Sequence, residues 1–429
     1  MGMKFILQFI LKLLAKATLA KYQPRVIGVT GSVGKTGSRL AVVAVLQQRW
    51  RVAGSQKNLN NEIGLPLAII GEADSGYRNF LAWLGIFSRA LRQLIVPSAN
   101  YPKVLVLEYG VDHPGDMDYL LSMARPEVAV VTAVSATHLE FLNSVAAVAQ
   151  EKGKLVSALS ARGVAVLNFD FPAVAVMATK TQARVVGYGE APSTDIRLTG
   201  TNVSQAADGQ IQGMSFRLSL GGSTVPVLIR DAVGKPVASM AAAGAAVGFA
   251  LGLSVLEITQ GLQKFSPPQG RLRLIKGVGE SLLIDDTYNS SPQALAEAID
   301  ILSKLPLASG GRRWAILGDM LELGSESERL HYEAGKKIVE GQADYLVTVG
   351  KISKQILAGA RAAGMSADQS WHTATAAEVA AIVKPLLQRG DIVLVKGSQG
   401  VRCEKAVKAL MAEPQKAKEL LVRQSSPWV

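Results

Sequence analysis

The sequence predicts an α/β protein of two successive domains, each with a parallel sheet covered by helices. Short apolar runs alternate with segments of helical apolar spacing from residue 25 onward, and such alternation is typical of parallel sheets. A length of 429 residues exceeds what one hydrophobic core supports. The double proline at 267–268, followed by Gly270, marks a boundary between two such runs of alternation.

The chain opens with a basic amphipathic segment, residues 1–24, for which two interpretations stand. Its uninterrupted apolar stretches are too short to span a bilayer, and no small-residue cleavage site marks a signal peptide. The segment is therefore either a helix packed on the first domain or a helix lying on an anionic membrane. The apolar residues that fall on one side of it are Ile6, Phe9, Ile10, Leu13 and Leu14.

Residues 30–36, TGSVGKT, lie between the β-branched run RVIGV and a segment with helical apolar spacing. At such a junction, backbone N–H groups and the helix N-terminus surround an oligophosphate. Lys35 then reaches its outer oxygens, and the Thr36 hydroxyl holds Mg²⁺. The general motif has Gly where this chain has Val29, and an ordinary glycine-rich turn is the alternative. We predict a central ATPase domain of the phosphate-loop type over 25–268, with these nucleotide-binding residues: Gly31, Ser32, Gly34, Lys35 and Thr36.

Two further polar residues end strands of the same predicted sheet. Glu108 closes the apolar run 103–108, and His138 follows the run 127–134. Parallel strands deliver both side chains to the edge that carries the phosphate loop. A carboxylate and a hydroxyl suit Mg²⁺, so a metal site and ordinary strand-end roles are equally favoured by spacing alone.

The remaining segments complete the two domains. Shorter β-rich segments between about 160 and 230 include a hairpin around Asp208-Gly209. The uncharged stretch 237–256 is rich in Ala and Gly, which favours a buried helix over a membrane span. Four apolar runs after Pro268 predict a Rossmann-like α/β domain over 269–429. Its polar tail, from about Glu413, is expected to end in disorder.

Composition narrows the partners and the compartment. A net charge of +12 favours polyanionic partners such as nucleotides or an anionic membrane face. We find no basic run interleaved with aromatic residues, so nucleic acid is not expected. Cys403 is the one cysteine, which excludes an intramolecular disulfide and fits a reducing cytoplasm.

The order of the motifs resembles that of the Mur ligase family. Two of the stretches, IDDTYNSSP and ILGDMLELG, distinguish the branch that adds D-alanyl-D-alanine. The resemblance covers residues 25 to about 410 through TGSVGKT at 30, NLNNEIGLPLAII at 58, LVLEYG at 105, THLEFLNS at 137, EKGK at 151, GRLR at 270, IDDTYNSSP at 284, ILGDMLELG at 316 and VLVKGS at 393.

The resemblance implies an ATP-dependent amide ligase of peptidoglycan precursor synthesis. It would join D-alanyl-D-alanine to UDP-N-acetylmuramoyl-tripeptide through an acyl phosphate, as a cytoplasmic monomer. Thr36 and Glu108 would hold one Mg²⁺ and His138 a second. Lys152 would match the lysine that family members carbamylate to make a metal ligand, so Lys35, His138 and Lys152 become the catalytic set. A plain surface lysine is the alternative for Lys152.

Further roles come from the resemblance alone. In the C-terminal domain, Arg271 would approach the phosphates of ATP, Asp286 the ribose and Asn289 the adenine. An ordinary strand-end turn is the alternative for Asp285 and Asp286. The asparagine-rich loop would contact substrate through Asn58, Asn60 and Asn61.

The chain departs from the family pattern at several positions. Lys154 stands where the family usually has Glu, and Ala133 where it commonly has Asn. The polar motif before the Ala-rich helix is replaced by GKPVASM, which leaves open how adenine is held. The residues that replace polar groups there are Pro236, Val237 and Met240.

A last departure concerns the N-terminus. The family usually carries a domain before the phosphate loop that binds the uridine nucleotide, and the sequence predicts only residues 1–24 there. Two alternatives to the leading function therefore stay open. One is an amide ligase of the same superfamily with a lipid-linked or polyglutamate-like substrate, and the other is a nucleotide-binding scaffold without catalysis.

Overall fold

The computed structural model describes residues 2–55, 59–72, 80–135, 142 and 144–425. The chain divides into two compact units. The first unit comprises Met1–Thr201, Ser215–Val227 and Pro236–Ser266, and the second comprises Asn202–Met214, Leu228–Lys235 and Pro267–Val429.

The strands are numbered in chain order. They are β1 Arg25–Thr30, β2 Val52–Gly54, β3 Val104–Glu108, β4 Val128–Val131, β5 Val164–Asn168, β6 Arg184–Gly189, β7 Ile196–Gln205, β8 Ile211–Leu220, β9 Ser223–Arg230, β10 Arg273–Lys276, β11 Leu282–Asp286, β12 Arg313–Gly318, β13 Tyr345–Val349, β14 Ser370–Thr373 and β15 Ile392–Lys396.

The helices are numbered in the same way over the described residues. They are α1 Gly2–Tyr22, α2 Lys35–Leu46, α3 Gly64–Ile70, α4 Phe80–Ile95, α5 Asp116–Leu121, α6 Val145–Ser157, α7 Pro172–Ala175, α8 Lys235–Ala250, α9 Val255–Gln263, α10 Pro292–Lys304, α11 Ser327–Glu340, α12 Lys354–Ala362, α13 Val379–Val383, α14 Glu404–Leu410 and α15 Ala417–Leu420.

The first sheet has the strand order β2-β3-β1-β4-β5-β6-β7-β8-β9, and its pairs from β2 to β7 are parallel. The β1 run is apolar and almost wholly buried, as expected of a central parallel strand. Register sets Val29 opposite Glu108 and Thr30 opposite Val131. Strands β1, β3 and β4 therefore end at one edge of the sheet, and the glycine-rich loop follows β1 there.

Helix α1 packs on the first unit. Its buried residues Leu11 and Leu14 join a core cluster with Leu67 of α3 and Ile86 of α4. At its end, the Tyr22 ring stacks on Tyr101 with the ring centroids 4.1 Å apart. The helix therefore has a core-facing side and an outer side.

The Ala- and Gly-rich helix α8 is buried over most of its length, which confirms its interpretation as core. Small side chains let it approach other elements closely. No helix in the described part of the chain is long and apolar enough to cross a membrane.

The second sheet has the order β10-β11-β15-β12-β13-β14. Strand β10 runs antiparallel to β11, and the remaining pairs are parallel. The four apolar runs predicted from sequence are β11, β12, β13 and β15. The structure adds β10 and β14 at the two edges, and the α/β prediction is confirmed.

The expectation of a disordered tail is wrong as far as residue 425. Ala417 and Leu421 are buried in the core of the second unit, because the polar tail carries apolar residues at this spacing. Residues 426–429 lie outside the described residues.

Cys403 is buried beside the second sheet. Its Sγ atom would lie 2.7 Å from a Cβ built on Gly318 and 2.6 Å from one built on Gly397. The two glycines thus leave the room that the sulfur fills. Burial raises the pKa of this thiol to about 12.

Candidate active site

The glycine-rich loop connects β1 to α2 through two glycines with positive φ, Gly31 at 150° and Gly34 at 81°. A Cβ built on Gly31 would lie 2.0 Å from the Thr132 hydroxyl oxygen, so only glycine fits. The residue that departs from the general motif, Val29, is a buried part of β1. The loop therefore begins at Gly31 and not before it.

The chain just after β4 supports the loop. The Ser32 N–H donates to the Ala133 carbonyl at 2.8 Å, and the Thr132 hydroxyl donates to the Val33 carbonyl at 2.5 Å. Ala133, which replaces a common Asn, thus contributes through its backbone. The first-turn N–H groups of a helix have no acceptor within it, so those at the start of α2, which follows the loop directly, are available to an anion.

Lys35 and Thr36 open α2. The Lys35 Nζ donates to the Gly31 carbonyl at 2.6 Å, so the side chain folds back over the loop. The Thr36 hydroxyl donates to Glu108 at 3.3 Å. The structure thereby brings together the phosphate loop and the strand-end carboxylate that the sequence predicted.

Glu108 also forms a buried ion pair that sequence reasoning missed. The Arg39 Nε donates to its carboxylate at 2.7 Å, and only 7% and 2% of the two side chains are exposed. Arg39 lies on the buried face of α2 with Val42 and Leu46. A charged residue within an apolar helical stripe is the signal that could have revealed it.

Lys152 lies in α6 and is 1% exposed, so the alternative of a surface lysine is wrong. Burial lowers the pKa of its amine to about 7, and the nearby charge of Lys35 lowers it further; Asp112 and Glu151 oppose this shift. A substantial fraction of the amine is therefore neutral near pH 7.

Lys154, two residues later, has a different environment. Its Nζ lies 2.7 Å from both Asp118 and Glu151, and these hydrogen bonds, that to Asp118 first, raise its pKa. Glu151 also accepts from the Gly115 and Met117 N–H groups at the start of α5. Lys154, which stands where the family usually has Glu, therefore forms part of a partly exposed group of ion pairs with Asp118 and Glu151.

The altered GKPVASM segment packs against the helix that follows the phosphate loop. Val237 and Met240 are buried, and a Cβ built on Gly37 would lie 2.1 Å from the Met240 sulfur. Ser239, in the same segment, lies 3.3 Å from the Asn168 amide. Apolar packing on α2 thus takes the place of the polar groups usual in the family.

The asparagine-rich loop is only partly described. The Asn60 carbonyl accepts from the Gly110 N–H at 2.8 Å, which places it beside the end of β3. Asn61 Oδ1 accepts from the Gly64 N–H at 2.8 Å and so caps α3. Asn58 and His138 lie outside the described residues.

In the second unit, the three residues predicted to bind nucleotide lie around the end of β11. The Lys396 Nζ donates to Asp286 at 2.6 Å and to the Asn289 carbonyl at 3.0 Å. The Arg271 guanidinium lies 4.2 Å from the centre of the Tyr288 ring. A buried cation therefore fixes the loop from Asp286 to Asn289.

The C-terminal tail reinforces this loop. Arg423 donates to the Thr287 carbonyl at 3.1 Å and to the Tyr288 carbonyl, and it lies 3.3 Å from the buried Glu404. Sequence reasoning missed Arg423 because the tail carried no motif.

Asp285 precedes this loop and is fully buried. Its Oδ1 accepts from the Thr287 N–H and hydroxyl. Its Oδ2 has no hydrogen-bond partner in the described part of the chain. Burial raises the pKa of this carboxyl to about 6. An ordinary strand-end turn accounts for the Oδ1 hydrogen bonds but not for the Oδ2 atom left without a partner among the described residues.

No group of three or more His, Cys, Asp or Glu side chains could hold a metal within the described ranges. A metal here would need the mixed set of Thr36, Glu108 and other groups. The phosphate loop, the strand-end carboxylate and the buried lysine define a nucleotide-binding α/β protein with a phosphate-transfer type of site.

Comparison of the sequence with known protein families identifies the family within this class of nucleotide-binding proteins. The description "Mur ligase middle domain" matches residues 29–227, and "Mur ligase, glutamate ligase domain" matches residues 270–399. The chain belongs to the Mur ligase family.

Individual relatives extend the likeness along the chain. It is 30% identical over 407 residues to the UDP-N-acetylmuramoyl-tripeptide–D-alanyl-D-alanine ligase of Bacillus subtilis, covering 94% of this chain and 79% of that protein. The enzyme of the same name from Escherichia coli is 29% identical, with 90% and 76% covered.

Solved structures show the same fold. The MurF ligase of Thermotoga maritima in complex with ADP has a TM-score of 0.75 and 25% identity, with 95% of this chain and 84% of that chain covered. MurF of Acinetobacter baumannii has a TM-score of 0.77 at 23% identity, with 93% and 79% covered.

Proposed function

We propose that this protein is an ATP-dependent amide ligase that joins D-alanyl-D-alanine to UDP-N-acetylmuramoyl-tripeptide in peptidoglycan precursor synthesis. The observation that carries the proposal is the shared sheet edge of Lys35, Thr36 and Glu108, with Lys152 buried within reach of the Lys35 charge. Relatives at about 30% identity bear the name of that ligase, and a nucleotide-binding scaffold has no need of this full set.

The proposed reaction has two steps. A substrate carboxylate oxygen attacks the γ-phosphorus of ATP, and the bond from that phosphorus to the β,γ-bridging oxygen breaks. The products of this step are an acyl phosphate and ADP. The dipeptide amine then attacks the acyl carbon, loses a proton and displaces phosphate to form the amide. Lys35 and the loop N–H groups would hold the phosphates while negative charge shifts among their oxygens.

Magnesium fits the donors at this edge. Thr36 and Glu108 present a hydroxyl and a carboxylate oxygen 3.3 Å apart, and hard oxygen ligands are what Mg²⁺ prefers. These two residues would hold one ion, and His138 with Lys152 a second. When bound, Mg²⁺ neutralises charge on the transferring phosphoryl group.

Lys152 is proposed to act as a carbamate. The neutral amine would add to carbon dioxide: an N–C bond forms, one C–O π bond of carbon dioxide opens onto oxygen, and nitrogen loses a proton. The product is an anionic carboxylate in place of the lysine amine. Because the pKa of Lys152 is lowered to about 7, much of the amine is in the neutral form that this addition requires.

Further contacts belong to the same proposal. Arg271 would bind the phosphates of ATP, Asp286 the ribose hydroxyls and Asn289 the adenine edge. Asn58, Asn60 and Asn61 would contact the muramoyl peptide, although Asn61 also caps α3. We propose a cytoplasmic monomer, and membrane contact through residues 1–24 is developed below.

The test is phosphate release from MgATP with UDP-N-acetylmuramoyl-tripeptide present and D-alanyl-D-alanine added or withheld, with the product mass recorded. We expect dipeptide-dependent release and a product heavier by one dipeptide less water. Lys35→Ala should fold and lose turnover. ATP binding without release or product from these substrates would contradict the proposal. Turnover with a lipid-linked acceptor would then favour the related ligase, and none with any acceptor would favour the scaffold.

A further inference from the structure

The outer side of α1 is apolar although it faces away from the core. Phe5 is 72% exposed, and Ile6, Phe9 and Leu13 are each more than half exposed. The core-facing side of the same helix carries Leu11. An amphipathic helix in a globular protein normally presents polar residues on its outer side, so this one has two apolar sides.

Helix α4 repeats the pattern. Ile95 is 78% exposed, and Leu84, Leu91 and the adjoining Val96 are also exposed. These residues line an open groove together with Arg92. Contiguous exposed apolar surface of this kind marks an interaction site in a soluble protein.

The two apolar outer sides belong to neighbouring helices. Both helices pack on one core cluster through Leu11 and Ile86. At the ends of the helices, the Lys21 Nζ donates to the Gln93 and Leu94 carbonyls at 3.0 and 2.7 Å. We call the exposed apolar residues of α1 and α4, with Val96, the outer face.

Basic residues predominate in this region, although Lys4 pairs with Glu62 at 3.0 Å and Arg89 with Glu72 at 2.7 Å. Residues 2–22 and 80–95 contain no Asp or Glu, and they carry half of the net charge of +12. Basic side chains beside apolar surface can lay their stems along it and keep the charge in water. The basic residues are Lys4, Lys12, Lys16, Lys21, Arg89 and Arg92.

We propose that the outer face binds an anionic lipid bilayer, with α1 and α4 lying in the interface. Apolar side chains would enter the boundary between headgroups and acyl chains, while the basic residues would meet anionic headgroups. A second copy of this chain fits less well because its own outer face carries the same positive charge. The proposal extends membrane contact beyond residues 1–24 and is independent of the ligase reaction.

The experiment is flotation with vesicles of phosphatidylcholine alone or with three-tenths phosphatidylglycerol, at low and high salt. We expect binding that needs phosphatidylglycerol and weakens with salt. Phe9→Gln/Leu13→Gln should lower the vesicle affinity by about tenfold or more, because two apolar side chains that would enter the bilayer are replaced by polar ones.

Matched controls separate the contributions. Leu256→Gln changes an exposed leucine of α9 and should leave binding unchanged. Lys16→Glu/Arg92→Glu should weaken binding to anionic vesicles and keep the far-ultraviolet circular dichroism of the wild type. Phosphate release in solution should be unchanged in every variant, so failure of membrane binding and failure of the ligase reaction are distinguishable.

Three results would overturn the proposal. One is wild-type protein that does not float with anionic vesicles. Another is equal loss of binding in Leu256→Gln and Phe9→Gln/Leu13→Gln. The third is a wild-type dimer that dissociates in Phe9→Gln/Leu13→Gln without any vesicle binding, which would make the outer face a contact between copies.

Discussion

Two sets of buried charges, one in each unit, have different surroundings. At the end of β11, Asp286 lies 2.6 Å from Lys396, and the buried Glu404 is paired with arginines on either side of it in sequence, Arg402 and Arg423. At the phosphate-loop edge of the first unit, burial lowers the pKa of Lys152, and the like charge of Lys35 lowers it further. Asp286 and Glu404 are thus compensated within the fold, although Asp285 Oδ2 has no hydrogen-bond partner in the described part of the chain. Lys152, by contrast, has a second cation nearby.

This difference indicates what each edge is built to do. Paired charges hold the loop from Asp286 to Asn289 in place before any ligand arrives. Burial disfavours the charged form of Lys152 until an anion binds beside it. Phosphate oxygens, or a carbamate on Lys152 itself, would supply that anion.

Lys152→Ala tests the difference between the two units most directly, because it removes the buried amine of the first unit. If Lys152 supplies a metal-binding carbamate, we expect kcat to fall by about a thousandfold, as for other groups that stabilise developing charge. Short carboxylates such as acetate should restore part of the activity. The measurement is dipeptide-dependent phosphate release.

Lys154→Ala is the matched control, because Lys154 lies in the same helix and is partly exposed, with Asp118 and Glu151 as its partners. Its activity should stay near that of the wild type. Full activity in Lys152→Ala would remove Lys152 from the site.

The buried pair of Arg39 and Glu108 sharpens the contrast, since it is a compensated pair of charges in the same unit as Lys152. Arg39→Met leaves the Glu108 carboxylate without its cation and should lower the free energy of unfolding by about 3 kcal/mol. Adding Glu108→Gln should recover most of that loss. Urea unfolding followed by circular dichroism measures both effects, and equal stability of Arg39→Met and wild type would contradict the expectation.

The low pKa of Lys152 also predicts how stability depends on pH. The unfolded chain keeps this proton up to about pH 10.4, whereas the folded chain releases it near pH 7. The unfolded state therefore binds more protons between these values, and this group makes stability rise with pH by up to about 1.4 kcal/mol per unit.

Lys152→Met removes that contribution. Its stability advantage over the wild type should be greatest near pH 7 and shrink toward pH 10. Thermal unfolding in buffers freed of carbon dioxide tests this, and a constant difference across the range would show that the amine titrates normally.

The smallest expected effect concerns the loop at the end of β11 in the second unit. Arg423→Ala frees the Thr287 and Tyr288 carbonyls and should raise the KM for ATP by about tenfold, equivalent to about 1.4 kcal/mol, with little change in kcat. Arg423→Lys should recover part of the effect. Arg329→Ala, at a surface pair with Glu326, is the control, and an unchanged KM in Arg423→Ala would count against this role.

The sequence predicted the parts of the fold that have strong periodic signals. Buried central strands such as β1 and β15 appear as continuous apolar runs. Strands β10 and β14 were missed because short edge strands include polar residues and are only partly buried. The tail was missed for a related reason, since two buried apolar residues within a polar segment form no period.

The site shows the same limit. Residues carried by motifs, such as Lys35, Thr36 and Glu108, were found from spacing and resemblance. Arg39 and Arg423 were missed because they act on partners far away in sequence, and only the fold makes those pairs. The burial of Lys152 was equally hidden, because the charged residues beside it in sequence are typical of a surface helix.

The environment of Cys403 gives the second unit a natural reporter. The thiol lies against Gly318 and Gly397, and the chain has no other cysteine. A thiol-reactive dye should therefore label only molecules in which this part of the sheet has opened. The labelling rate against denaturant would measure local opening in the second unit, with no engineered residue and no signal from the first.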